Sequence, residues 1–306
     1  MDQPAPRHSP DTEITEATER IARSVQTTVG WIFWDPGAID RYTELGLPEA
    51  VAGPLGYIGA RCAPLAPAGP DAVIAAFGSI SPLAIRGLFS LLDGPHRFTE
   101  LWDARDHSVA EGLRTFAPDI VEPLVEIGPE LWSIVDRLPS VGRVLFGAVL
   151  GMPRPADPLL SGWHAINAVR EWRGDTHWAI TVAAGLDHAE SSILHNEWLG
   201  YDTDWLALSR GTAPESIEAG WAALQAKGLA DGRCATRSGL ELRARIERDT
   251  DQLTALPWEL LGPDRTNALA EALEPPCELL LERVDITAGP NYQPASRIHD
   301  HPSSRD

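Results

Sequence analysis

Apolar residues along this chain recur at three- and four-residue intervals, with almost no strict alternation, so the pattern predicts helices and very little strand. Helical periods cover 14–29, 38–46, 71–77, 81–92 and 107–116. The stretch 120–150 is rich in Val, Leu and Ile and is interrupted at Pro129 and Pro139. Residues 158–172 form an amphipathic stripe, with Leu159, Trp163, Ile166 and Val169 at helical spacing. Helices at 176–184, 187–198, 214–227, 237–254 and 264–282 complete the pattern. The best β candidate is LADGRCAT (229–236), short enough for one hairpin. Residues 1–13 and 286–306 are polar, rich in Pro, Ser, Asp and His and without an apolar period, and are expected to be disordered tails.

Two short blocks repeat in the same order. APAGPDAVIAAF (66–77) matches VAAGLDHAESSIL (182–194), each an Ala-Gly turn followed by an Asp placed to cap a helix. WDARDHSVAEGLRTF (102–116) matches SRGTAPESIEAGWAAL (209–224). With the breaker MPRPADP at 152–158, this predicts a mainly α fold made of two tandem helix-turn-helix halves, 14–155 and 156–285, with a minimal β wing.

The segment GWAALQAKGLADGRCATRSGLELRARIERDTDQLTALPW resembles the winged-helix region of MarR-type regulators. In that resemblance Gly228 ends a helix, Asp231-Gly232 turns the wing, and Thr236 caps the long helix that follows, with Gly239 in its first turn. The pieces GYIGARCAPLAPAG, WHAINAVREWRGDTHWA, AAGLDHAE and RIERDTDQL make the chain similar, over roughly 30–285, to the SalK-type (SCO-type) helix-turn-helix family. That resemblance implies a winged-helix-like fold, an actinobacterial setting and, for some members, a place in polyketide antibiotic biosynthesis. The tryptophans at 31, 34, 102, 172, 178 and 198 depart from the usual pattern and point to a different ligand.

Charge argues against the DNA-binding role such a fold suggests. The 306 residues carry 25 Lys and Arg against 44 Asp and Glu, a net charge of −19, whereas nucleic-acid affinity comes mainly from cations on phosphates. The helix in the reading position begins with Glu215 and Glu218, and the single lysine, Lys227, stands at its end. Nucleic acid and anionic membranes are therefore unexpected partners. Cys62, Cys234 and Cys277 form no CxxC and fit a reducing cytoplasm. No apolar run reaches the length of a membrane span, and the first residues lack the apolar core of a secretory signal.

The polar candidates cluster around residues 57–61 and 163–195. Arg173 and Asp175 flank Gly174, and Asp175 beside His177 suggests an acid–base pair. Tyr57 and Arg61, one helical turn apart, suit a carbonyl or carboxylate. His164, Asn167 and Glu171 form a polar stripe that reads either as a cleft lining or as a solvated face; His164, Trp163 and Arg170 are taken as further ligand contacts. His177, His188 and His195 share a helical face but are too far apart along one helix for a common metal, and His299 and His301 sit in the C-terminal tail. No GxSxG, HExxH, GxGxxG or P-loop is present, so no cofactor and no metal are expected. The combined expectation is a cytoplasmic protein that takes an apolar, polyketide-like small molecule between its halves and acts as a cofactor-free enzyme through His177 and Asp175. The alternatives are a ligand-responsive DNA-binding regulator and a non-catalytic partner protein.

Overall fold

A computed structural model describes residues 12–298; the pair His299 and His301 lies outside them. The chain is mainly helical: α1 (Thr12–Gly30), α2 (Pro36–Glu44), α3 (Glu49–Cys62), α4 (Pro70–Ala76), α5 (Pro82–Leu91), α6 (Pro95–Phe116), α7 (Val121–Val135), α8 (Val144–Leu150), α9 (Pro158–Ala183), α10 (His188–Leu199), α11 (Trp205–Ser209), α12 (Pro214–Ala226), the strands β1 (Ala230–Asp231) and β2 (Cys234–Ala235), then α13 (Arg237–Leu253), α14 (Leu256–Leu261) and α15 (Pro263–Thr287). Proline explains many of the boundaries. Pro36, Pro70, Pro82, Pro95, Pro158, Pro214 and Pro263 each open a helix, where the fixed φ suits the first turn and the missing N–H is no loss.

The structure departs from the sequence pattern at several helices: α6 begins at Pro95, α11 and α14 are additional, and α7, α9 and α3 show why. α7 runs through Pro129, because its buried face of Leu124, Ile127, Leu131 and Trp132 lies along α9 and outweighs the lost hydrogen bond. The backbones there nearly touch: a Cβ on Gly162 would sit 2.0 Å from the Leu124 carbonyl oxygen. The predicted helices 158–172 and 176–184 are one helix, since Gly174 weakens α9 by only about 1 kcal/mol while Trp172, Asp175 and Thr176 are buried around it. α3 has no helical signature, with Gly53, Pro54, Gly56 and Gly59 in its middle. Its glycines are contact points; a Cβ on Gly56 would lie 2.1 Å from the Tyr42 ring.

The hydrophobic interior forms two cores. The larger spans residues 14–172 and returns at 258–284, with α15 packed along α1. The smaller is made of residues 186–246. The apolar interior therefore does not divide at residue 155: α9 enters both cores, and the end of the chain closes onto its beginning.

The small core carries the turn, hairpin and cap features foreseen in its sequence. α12 ends at Gly228 with φ +70°. Ala230 pairs with Ala235 and Asp231 with Cys234, around Gly232 at φ +58°. The Thr236 hydroxyl accepts from Gly239 N at 3.2 Å and donates to the Gly228 carbonyl at 2.9 Å. The first half has no equivalent hairpin. Asp187 caps α10 in a capping box with Glu190, but Asp71 lies inside the first turn of α4, makes no cap bond and pairs with Arg86. Residues 102–116 lie within the continuous α6, whereas 209–224 contains the turn before α12. Residues 289–298, whose composition predicts a tail, pack on α1. Gln293 Nε2 donates to the Gly30 carbonyl at 2.6 Å, and Arg23 Nε donates to the Ser296 carbonyl at 2.7 Å.

Candidate functional site

A cleft of about 180 Å³ opens where the two cores meet. α1 contributes Gln26 and Gly30, α3 contributes Tyr57, Ile58 and Arg61, and α9 contributes Arg170. From the small core come His195 of α10, Trp205, Leu206 and Ser209 of α11, and Arg210 just beyond it. Phe33, Trp34, Phe77, Ser79, Ile80 and the segment 292–295 complete the lining. The aromatic groups are mutually packed: Phe33 and Tyr57 centroids are 4.5 Å apart, Trp34 and Tyr292 4.1 Å, Trp205 and Tyr292 5.0 Å. Such rings supply large apolar contact area with fixed orientation.

On the large-core side the charge is internally balanced. Glu171, 1% exposed, accepts from Arg61 Nε at 2.8 Å and Nη2 at 2.5 Å, and from Arg170 Nη1 at 2.9 Å. Burial pushes the Glu171 carboxyl up, but Arg61 and Arg170 outweigh it and hold it below the ordinary carboxylate range. Arg170 Nε also donates to Gln26 Oε1 at 2.9 Å, and the Arg61 guanidinium lies 4.5 Å from the Phe77 centroid.

The small-core side is different. Arg210 has no carboxylate partner among the described residues; its side chain makes one hydrogen bond, from Nη1 to Ser192 Oγ at 3.3 Å. Burial, helped by the nearby positive charge of Arg243, lowers its pKa to about 10. Burial also keeps His195 well below the usual imidazole range, reinforced by Arg243 and Arg210, so His195 is a neutral ring at neutral pH.

Of the residues expected from sequence, Tyr57, Arg61 and Arg170 meet in this cleft. Trp163 and His164 do not line it. Trp163 Nε1 donates to the Thr28 carbonyl at 2.8 Å, and His164 Nε2 lies 2.7 Å from Asp106 inside the large core. The stripe His164, Asn167, Glu171 is fully buried rather than solvated. Asp175 and His177 are also outside the cleft and do not pair. Asp175 accepts from Phe146 N at 2.8 Å, while His177 Nδ1 meets Thr250 Oγ1 at 3.0 Å on α13. Two residues apart on a helix, they point in directions about 160° apart. Arg173 pairs with Glu247 and Asp251, not with Asp175. Burial drives His177 down to about 3 and Asp175 up to about 6. Among the described residues no group of three His, Cys, Asp or Glu side chains could hold a metal, and no helix is long and apolar enough to cross a membrane. The sequence reading missed Arg210, Trp205 and Tyr292. Only the abundance of tryptophan signalled an aromatic site.

Residues 18–287 match the profile of a helix-turn-helix family. The chain belongs to this family. No curated protein and no solved structure matches it. Within this helix-turn-helix protein, the cations near α12 and the hairpin are largely consumed by neighbouring acids. Arg233 pairs with Asp204 at 2.6 Å and with Glu218, and Lys227 pairs with Glu190 and donates to the Gly185 carbonyl at 2.7 Å. Exposed Arg237 makes no ion pair among the described residues.

Proposed function

We propose that this helix-turn-helix protein binds a small aromatic or otherwise apolar organic molecule in the cleft between its two cores. The observation that carries this reading is the convergence of six aromatic rings, Phe33, Trp34, Tyr57, Phe77, Trp205 and Tyr292, on one cleft with a few directed polar groups. An apolar, partly enclosed space with sparse polar anchors is what small-molecule sites share. His177 and Asp175 lie outside this cleft, so the proposal assigns them no acid–base role.

The test uses the protein's own fluorescence. Titration with 2-naphthamide is expected to quench Trp34 and Trp205 emission saturably. Ile80→Trp, which fills the cleft from its wall, is expected to weaken binding at least about tenfold. Unsaturable quenching of the parent protein by both 2-naphthamide and its carboxylate analogue 2-naphthoate, or unchanged affinity in the filled variant, overturns the reading.

A second reading rests on the family itself: a DNA-binding regulator that reads sequence with α12 and the hairpin. Family membership supports it, while Glu215 and Glu218 on α12 and the paired Arg233 oppose it, because like charge near phosphate is repulsive. Anisotropy of labelled genomic duplexes at low salt separates the two. Tight, sequence-dependent and salt-sensitive binding would establish the regulator.

A further inference from the structure

The three arginines on the cleft differ in what they hold. Arg61 and Arg170 share one buried carboxylate, Glu171, so that set of three groups carries a net charge of +1. Arg210 adds a further unit with no acid beside it. Among the described residues no Asp or Glu lines the cleft, and on α13 Glu247 is held by Arg173 and Arg243 and Asp251 by Arg173. A chain with a net charge of −19 therefore presents a cationic lining in this cleft.

An unpaired, partly buried cation is costly to a fold. A guanidinium carries five N–H donors in a planar fork, and Arg210 spends one of them, on Ser192. Its remaining donors belong to a residue that lines the cleft, and the Tyr57 hydroxyl there likewise has no partner among the described residues. The fork matches the two oxygens of a carboxylate. The space, about 180 Å³, compares with the roughly 150 Å³ that encloses one benzene ring, and so suits a compact ligand of one or two rings.

We infer that the ligand is an aromatic monocarboxylate, with its carboxylate on the Arg210 guanidinium and its ring among Trp34, Trp205 and Tyr292. This rests on the cleft being a ligand site and adds the ligand's charge and its anchor. Arg61 contributes field but little bonding, because Glu171 already takes its Nε and Nη2 donors.

Two isosteric probes, 2-naphthoate and 2-naphthamide, decide the matter by tryptophan quenching at pH 7.5. The parent protein is expected to bind 2-naphthoate at least about tenfold more tightly than 2-naphthamide, the scale of a charge-assisted hydrogen bond. Arg210→Met, which keeps the stem and removes the charge, is expected to weaken 2-naphthoate by about 10- to 100-fold while leaving 2-naphthamide within about twofold. Arg210→Lys should fall between, since it restores charge without the fork. If the parent binds both probes equally, the ligand is not an anion and the cleft reading stands alone; that comparison needs no variant. If Arg210→Met weakens both probes alike, Arg210 is a wall and not an anchor. If neither probe binds, the cleft reading falls and this inference falls with it.

Discussion

Arg61 and Arg170, brought to the cleft by the large core, and Arg210, brought to it by the small core, are the same side chain in opposite roles. The first two come from α3 and α9 of the large core and are locked by Glu171 of α9, which the Arg61 side chain reaches from α3. Their charge is spent inside the fold. Arg210 stands at the end of α11, beyond the reach of any described carboxylate, and among the described residues its side chain bonds only to Ser192. A paired buried arginine is evidence about folding. An unpaired one beside a cavity is evidence about what enters the cavity.

The largest expected effect follows from unlocking the first two. Glu171→Gln leaves two guanidiniums facing each other without a carboxylate and is expected to destabilise by about 3 kcal/mol, read by urea denaturation at pH 7. Added 2-naphthoate should recover part of that loss, because Arg61 and Arg170 then become free donors. A neutral substitution would erase the contrast between the two roles. Next in size is a pH effect on the side of α9 that faces the small core. His177 is held near 3 in the folded chain against about 6.5 unfolded. Above pH 6.5 neither state binds the proton and stability is complete. As pH falls toward 3 only the unfolded chain binds it, so stability drops by at most about 1.4 kcal/mol per pH unit. His195 and Glu247, both held low, act in the same direction. His177→Gln, which keeps a partner for Thr250, is expected to make the acid limb of a stability–pH curve shallower by one proton; an unchanged slope would mean His177 titrates normally.

The contrast between the two roles shows what sequence can carry. The hairpin and its flanking helices were legible because each feature is local: Gly228 and Gly232 adopt φ values that glycine tolerates, and Thr236 bonds three residues ahead. Several helix starts were legible for the same reason, but α6 opens at Pro95, well before the 107 that its apolar period predicts. Tyr57, Arg61 and Arg170 stand out by their chemistry and line one cleft, but the partner of Arg61 lies 110 residues away and no periodicity encodes that distance. The pairing of Asp175 with His177 failed on helix geometry, which sends neighbours two apart to different elements. The unbroken α7 and α9 were illegible because tertiary burial overrides Pro129 and Gly174. Arg210 lies at the start of the repeated block 209–224, which signals a turn and a helix but no ligand, and Tyr292 lies in a segment whose composition reads as tail.

The smallest expected effect gives the sharpest separation of the two roles. Removing a paired arginine and removing an unpaired one should differ in the sign of their effect on stability. Arg61→Met strips Glu171 of two charge-assisted bonds inside the large core and should destabilise. Arg210→Met gives up a single 3.3 Å bond to Ser192 and relieves the burial of a cation that lies near Arg243. Without ligand, its unfolding free energy should therefore stay unchanged or rise by up to about 1 kcal/mol. The same variant is the one expected to lose 2-naphthoate. Stability held or gained while binding is lost is the pattern of a residue kept for what it binds. A clear loss of stability would instead put Arg210 with Arg61 and Arg170, as a third arginine the fold needs.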